Sequence, residues 1–230
     1  MALRKVLDRL SEQAFRYVQL SAAQPGFRPR ELSKSARRDL RATLSRRELR
    51  VAGLDLWIPP THFLDSTSVD RAVDAVSDAI ELAADLGRCP LSVTLPSVDE
   101  EDCEAVVREL AAHARAFGVQ LADHTLPPAR RSGVGVGIDP AAVLSIGEDP
   151  ASTVASCSLR LISVRLCDLL RSGARGPAGE PRDGRLNVRI YRRAIATCEF
   201  TRPVVVDMRQ WSDPWSGLEK TALAWHIAGG

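Results

Sequence analysis

The chain has 230 residues, which is long enough to bury a sizeable core. Its hydrophobic content of 45% and charged content of 26% are ordinary for a soluble globular protein. A net charge of +2 is too small to indicate a nucleic-acid or membrane partner, and no apolar run approaches the roughly 18 residues of a membrane span. These totals therefore exclude the strongly basic and the membrane-spanning classes of protein.

The cysteines indicate where the protein works. There are five of them, they are scattered, and they form no CxxC motif. This usage is typical of a reducing compartment and argues against a thiolate zinc site. We expect a cytoplasmic protein.

Helices and strands alternate along the chain. Helical periodicity predicts helices over residues 2–13, 31–48 and 66–86, then over 150–157, 187–198 and 214–227. A capping box at Ser97–Glu100 opens a further helix that ends at Gly118. Seven apolar segments rich in β-formers predict strands, namely Phe15–Ser21, Val51–Ile58, Leu91–Leu95, Val119–Thr125, Gly133–Asp139, Leu161–Cys167 and Pro203–Met208.

This alternation predicts a parallel α/β sheet, as a closed (β/α)₈ barrel or an open doubly wound sheet. Neither GxGxxG nor GxxxxGK[ST] follows a strand, which weakens the open nucleotide-binding sheet. We therefore expect one domain, residues 1–230, folded as a TIM-type (β/α) barrel.

Acidic side chains recur where the later strands end, at Asp123, Asp139, Asp168 and Asp207. In a parallel barrel these strand ends meet at one mouth, and converging carboxylates repel unless a cation or a proton lies between them. Oxygen ligands of this kind suit Mg²⁺ or Mn²⁺. The alternative is that each aspartate only caps the helix or turn that follows it.

Several motifs resemble the sugar phosphate isomerase/epimerase family, the xylose isomerase-like TIM barrels. The motifs are LADHT at 121–125, GIDP at 137–140, VRLCD at 164–168, DGRLN at 183–187 and VVVD at 204–207. The similarity covers nearly the whole chain and is clearest over its last hundred residues. It implies a barrel that binds one divalent ion and shifts a proton next to the carbonyl of a small sugar or sugar phosphate.

The resemblance also implies roles for individual residues. Asp123, Asp139 and Asp207 would hold the ion, and Asp168 or His124 would move the proton. The family's ligand histidine falls on Arg165, which cannot lose its proton to bind a metal and would repel a cation. Arg165 could instead pair with Asp139 or Asp207 and fill the place of the metal.

The chain also departs from the eight strands of the family barrel. The missing strand corresponds to the family's first, so we expect an incomplete barrel with a gap between Phe15–Ser21 and Pro203–Met208. An open edge exposes unpaired backbone groups and would favour a second copy or a protein partner as a cover.

Further candidates lie in loops. The segment from Arg171 to Arg185 is rich in glycine and arginine and follows the next-to-last strand, where barrels often bind phosphate. It predicts either a mobile lid that holds a sugar phosphate through Arg175 and Arg182, or a plain surface loop. Trp57 could stack on a sugar ring and His62 could reach the mouth, although a packed tryptophan and a solvent-facing histidine are the simpler interpretations.

Two functions follow from these patterns. One is a metal-dependent sugar isomerase or epimerase. The other is a barrel without catalysis that binds a ligand or a protein, which Arg165 and the missing strand favour.

Overall fold

The computed structural model describes residues 3–96 and 101–230, with side chains described from residue 103 in the second range. The capping box predicted at 97–100 lies outside the described residues. The chain divides into two compact units, Met1–Thr125 with Ala129–Gly135, and Leu126–Pro128 with Val136–Gly230. The single domain predicted from the sequence stays a prediction.

In the first unit four strands pair in parallel in the order β1-β2-β3-β4. The strands are β1 (Tyr17–Ser21), β2 (Arg50–Asp55), β3 (Leu91–Val93) and β4 (Leu121–Asp123). The helices are α1 (Leu3–Glu12), α2 (Lys34–Ser45), α3 (Val69–Asp85) and α4 (Glu101–Ala116), with short 3₁₀ turns at Pro29–Glu31 and Pro60–Phe63.

In the second unit three strands pair in parallel in the order β5-β6-β9. These strands are β5 (Gly135–Ile138), β6 (Leu161–Leu166) and β9 (Val205–Val206), and a separate antiparallel hairpin joins β7 (Asp168–Leu169) to β8 (Arg175–Gly176). The helices are α5 (Pro140–Ser145), α6 (Pro150–Ser156), α7 (Val188–Thr197) and α8 (Pro214–Ile227), with a 3₁₀ turn at Ser158–Arg160.

Each unit buries its own apolar residues. Helix α3 turns Val76, Ala79, Ile80 and Ala83 inward at three- and four-residue spacing, and all four are fully buried. In the second unit Tyr191 of α7 is fully buried in a cluster with residues of β5 and β6. Its hydroxyl donates to the carbonyl oxygen of Arg165 at 3.1 Å, so this large side chain is buried without an unsatisfied polar group.

Seven parallel strands lie within residues 3–96 and 101–230. Six fall inside the predicted segments, and β2 begins one residue before its segment, at Arg50. This confirms the predicted strand count for the described part of the chain. The sequence did not predict the hairpin β7-β8, the helix α5 or the three 3₁₀ turns. Strand β7 precedes the glycine-rich segment 171–185 and β8 lies within it, and neither shows apolar alternation. The six-residue helix α5 is too short to show a helical period. No helix of the described residues is long and apolar enough to cross a bilayer.

Gly179 allows a close approach between the 171–185 loop and α8. It has φ of +85°, and a Cβ at this position would collide with the Cβ of Ala224. Gly173 in the same loop has φ of +86° but has nothing within 4 Å of the corresponding position.

We expect Gly179→Ala to lower the free energy of unfolding more than Gly173→Ala does. Both variants carry the backbone strain of a left-handed alanine, about 1–2 kcal/mol, but only Gly179→Ala adds overpacking of about 1–3 kcal/mol. Urea unfolding of the two variants checks this, and equal losses would contradict the close approach.

Candidate functional site

The second unit brings two of the predicted acids together. Asp139 directly follows β5 and Asp207 directly follows β9, and each is only 7% exposed. These strands flank β6, which carries Arg165 near its carboxyl end. Because the carboxyl ends of parallel strands lie at the same edge of a sheet, the three side chains lie close together at that edge.

Arg165 lies between the two carboxylates. Its Nη1 atom is 3.1 Å from Oδ2 of Asp139, and its Nε atom is 3.8 Å from Oδ2 of Asp207. The residue is 8% exposed. This is the pairing that the sequence predicted as an alternative to a metal ion.

Arg175 makes a second and closer bridge. From β8, its Nη1 atom lies 2.9 Å from Oδ2 of Asp139, and its Nη2 atom lies 3.1 Å from Oδ2 of Asp207. From the sequence, Arg175 belonged either to a mobile lid that holds a sugar phosphate or to a plain surface loop. In the structure the hairpin β7-β8 directs this guanidinium onto the two carboxylates.

Arg209 completes the group, which we call the arginine–carboxylate cluster: Asp139, Arg165, Arg175, Asp207 and Arg209. The Nε and Nη2 atoms of Arg209 bind the two oxygens of Asp207 at 2.9 and 2.7 Å. Three guanidinium groups therefore face two carboxylates. The side chain of Arg209 is 49% exposed and that of Arg175 is 20% exposed, so a ligand in solution can reach the excess positive charge.

The charges of the cluster and burial shift the pKa values of Asp207 and of the neighbouring Cys167 in opposite directions. Burial works to raise the pKa of Asp207, but the hydrogen bonds and charge of Arg209, with the charges of Arg165 and Arg175, hold that pKa below its ordinary value. Cys167 Sγ lies 3.5 Å from Oδ1 of Asp139. Burial and the charge of Asp139 raise the pKa of this thiol well above its usual range, so it remains protonated.

The cluster does not fit a divalent ion. Both carboxylates already accept from guanidinium groups that keep their charge at any accessible pH, and a metal ion placed there would meet three positive charges. Over the described residues, no group of three or more histidine, cysteine, aspartate or glutamate side chains is arranged to hold a metal.

Asp139 also caps a helix, as the simpler interpretation of the strand-end aspartates proposed. Its Oδ1 atom accepts from the backbone N–H of Ala142 in the first turn of α5. One carboxylate thus serves both as a cap and as an ion-pair partner. Capping a helix and converging with a second strand-end carboxylate are therefore compatible at this position.

In the first unit, Asp123 has a comparable environment. Its carboxylate accepts from the N–H groups of Leu95 and Thr125 and from the Thr125 hydroxyl. Oδ2 of Asp123 lies 3.0 Å from Nε of Arg131, whose side chain is 3% exposed. Arg131 also donates to the carbonyl oxygen of Pro96. Sequence reasoning missed Arg131; its only local signal is the Arg130–Arg131 pair in the loop after β4.

The two predicted proton-transfer residues have different surroundings. His124 follows Asp123 and places Nε2 3.2 Å from Oγ of Ser92. Asp168 is fully buried and accepts from the backbone N–H groups of Arg185 and Leu186. Burial raises the pKa of Asp168, against the lowering effect of those N–H groups. The carboxylate of Asp168 has no exposed surface. A role in proton transfer would therefore require the segment with Arg185 and Leu186 to move away from Asp168.

The remaining predicted ligand contacts lie at the surface. Trp57 is 64% exposed rather than packed, and His62 is exposed in the 3₁₀ turn Pro60–Phe63. Arg182 is exposed in the 171–185 loop. Two hydrogen bonds hold that loop. The backbone N–H of Arg171 donates to Oδ1 of Asp183, and the backbone N–H of Arg185 donates to Oδ1 of Asp168. Ligand contacts by these residues stay predictions.

Comparison with known proteins identifies the family. The model of the xylose isomerase-like TIM barrel family matches residues 7–225. A comparison with curated proteins gave no match.

Solved structures agree on the fold. The chain is similar to an L-ribulose 3-epimerase, with a TM-score of 0.77 and 14% identity over 99% of this chain and 90% of that one. It is similar to a D-psicose 3-epimerase crystallised in the presence of D-fructose, with a TM-score of 0.75 and 13% identity over 99% and 93%. A sugar phosphate isomerase/epimerase from Parabacteroides distasonis has a TM-score of 0.69 and 14% identity over 98% and 89%.

The depressed pKa of Asp207 predicts how stability depends on pH. A carboxylate whose pKa is lower in the folded state stabilises it above the unfolded pKa, about 3.9, and loses this contribution as the pH falls through the folded pKa. We expect Asp207→Asn to be less stable than the parent at pH 7 by about 3–5 kcal/mol, because Arg165 and Arg175 each lose one of their two carboxylate partners.

The difference between parent and Asp207→Asn should shrink as the pH falls below about 4. Urea unfolding at pH 7, 4 and 3 measures it. A difference that stays constant down to pH 3 would show that the Asp207 ion pairs do not stabilise the fold.

The match over residues 7–225 confirms the predicted fold class and the predicted resemblance, and this chain belongs to the xylose isomerase-like TIM barrel family.

Proposed function

We propose that this protein binds a small sugar or sugar phosphate at the carboxyl ends of β5, β6 and β9, with arginine in place of a divalent ion. The observation that carries the proposal is the Arg175 guanidinium, which lies within 3.1 Å of both Asp139 and Asp207. Together with Arg165 and Arg209, this fixed cation neutralises the two carboxylates and leaves the cluster one positive charge in excess.

The geometry supports a sugar-like ligand. Carboxylate oxygens accept from hydroxyl groups, and guanidinium N–H groups donate to hydroxyl, carboxylate or phosphate oxygens. Arg175 and Arg209 are exposed enough to make such contacts. Structural neighbours named as sugar epimerases, one of them crystallised in the presence of D-fructose, support the same class of ligand.

The chemistry of the cluster favours binding over proton transfer. A general base works best when its pKa is near the working pH, whereas the pKa of Asp207 is held below the ordinary carboxyl value. The pKa values of Cys167 and Tyr191 are raised well above their ordinary values by burial, so both groups stay protonated. Burial also raises the pKa of Asp168, the predicted proton-transfer carboxylate, but Asp168 is fully buried and lies outside the cluster. The shifts at the cluster and next to it therefore favour the non-catalytic, ligand-binding function over the isomerase.

A second candidate is the metal-dependent isomerase or epimerase, favoured by the family and by three acids at strand ends, Asp123, Asp139 and Asp207. It requires Arg165 and Arg175 to release the carboxylates. The cytoplasmic location and a protein partner on an open strand edge also stay predictions.

Calorimetric titration with D-fructose and D-fructose 6-phosphate, in EDTA and then with Mn²⁺, separates the two candidates. We expect binding in EDTA, tighter for the phosphate ester because of the excess positive charge. Arg175→Gln should weaken it about tenfold or more, since a charge-assisted contact and the fixed cation are lost. Arg193→Gln, which removes an exposed arginine from α7, is the matched control.

A dependence of sugar binding on Mn²⁺ would contradict this proposal. Binding that requires Mn²⁺ and disappears in Asp139→Asn, together with exchange of a carbon-bound proton of the sugar with solvent deuterium, would support the metal-dependent enzyme and overturn our proposal. No binding of either probe under either condition would overturn both.

A further inference from the structure

A second basic site lies in the first unit, between α4 and the loop that precedes β5. It is a cavity of about 360 Å³, within the range of small-molecule sites. Its charged lining residues are Glu104, Arg108, Arg115, Arg130 and Arg131. None of these residues belongs to the arginine–carboxylate cluster.

Small residues form the apolar surface between the charges. Val107 and Ala111 of α4 are buried, and Ala112 also lines the cavity. Gly133 brings the loop close to the helix, because a Cβ at this position would lie 3.3 Å from the Cβ of Ala111. Its φ of +74° is a conformation that other residues rarely adopt. The cavity is therefore built by a specific close approach of loop and helix.

Three of the arginines form no ion pair with any residue whose side chain the structure describes. Arg108, Arg115 and Arg130 are exposed, and within the described residues they make no ion pair or side-chain hydrogen bond. Arg131 differs from them, because its guanidinium is buried against Asp123. With Glu104 as the acidic group of the lining, three positive charges face one negative charge across a small cavity.

The positions of Arg108 and Arg115 on α4 would allow both side chains to contact one ligand. Arg108 and Arg115 are seven residues apart, so they lie on one face of α4 about 10 Å apart along its axis. Their long side chains can converge on a ligand that lies over the alanines between them, and Arg130 approaches from the loop. Guanidinium groups arranged in this way match the oxygens of phosphate.

We propose that this cavity, which we call the α4 pocket, binds a small ligand carrying a diphosphate group. Two adjacent phosphates match the excess positive charge better than one, and a cavity of about 360 Å³ suits a small molecule rather than a long polyanion. The α4 pocket shares no residue with the proposed sugar site, since its residues belong to the first unit and those of the cluster to the second.

The test is calorimetric titration of the full chain with pyrophosphate and inorganic phosphate at constant ionic strength. We expect pyrophosphate to bind more tightly than phosphate. Arg108→Gln/Arg115→Gln should weaken pyrophosphate binding about tenfold or more, because two charge-assisted contacts are lost. Arg38→Gln, which removes an exposed arginine on α2, should bind like the parent.

Ala112→Glu provides a second variant that keeps every arginine. A carboxylate on this exposed helical position places a negative charge in the cavity and should also weaken binding about tenfold or more. Equal affinity in the parent and either variant would overturn the proposal, as would no binding by the folded parent. Loss in Arg175→Gln with retention in Arg108→Gln/Arg115→Gln would assign the anion to the arginine–carboxylate cluster instead.

Discussion

Two buried carboxylates and the guanidinium groups between them organise the second unit. Asp139 and Asp207 end the two strands that flank β6, and neither could remain charged in that environment without a cation. Arg165 supplies one from the central strand, and Arg175 supplies another from the hairpin β7-β8. The hairpin, the start of α5 and the strand ends are therefore held by one set of ion pairs.

This arrangement changes the chemistry available to the fold. A metal ion with open positions can polarise a carbonyl, whereas a guanidinium group donates hydrogen bonds and holds a fixed charge. Asp123 repeats the arrangement in the first unit, where it pairs with the buried Arg131. In both units a strand-end acid that the sequence assigned to a metal ion is bound by an arginine. The chain thus has the fold of the xylose isomerase-like TIM barrel family, with arginine side chains of the protein paired to the strand-end aspartates.

The arginines of this chain have two different environments. Arg165, Arg175 and Arg131 are held against carboxylates in the interior, where breaking a pair leaves a charge without a partner. Arg108, Arg115 and Arg130 line a cavity together with Glu104, and among the described residues none of the three forms an ion pair. The first group maintains structure and charge balance, and the second is available to an anion from solution.

The sequence by itself determined the alternation of helices and strands, the seven parallel strands and the aspartates that end them, because apolar periodicity and turn residues are local. It also predicted that Arg165 could replace a metal ion, since the residue type alone excludes ligation. Only the tertiary structure revealed that Arg175 reaches the same carboxylates, because a two-residue strand in a glycine-rich stretch has no periodic signal. The local pattern also does not encode three further observations: the pairing of Asp123 with Arg131, the exposure of Trp57 and the burial of Asp168. They depend on the course of the loops and on contacts between residues that are distant in sequence.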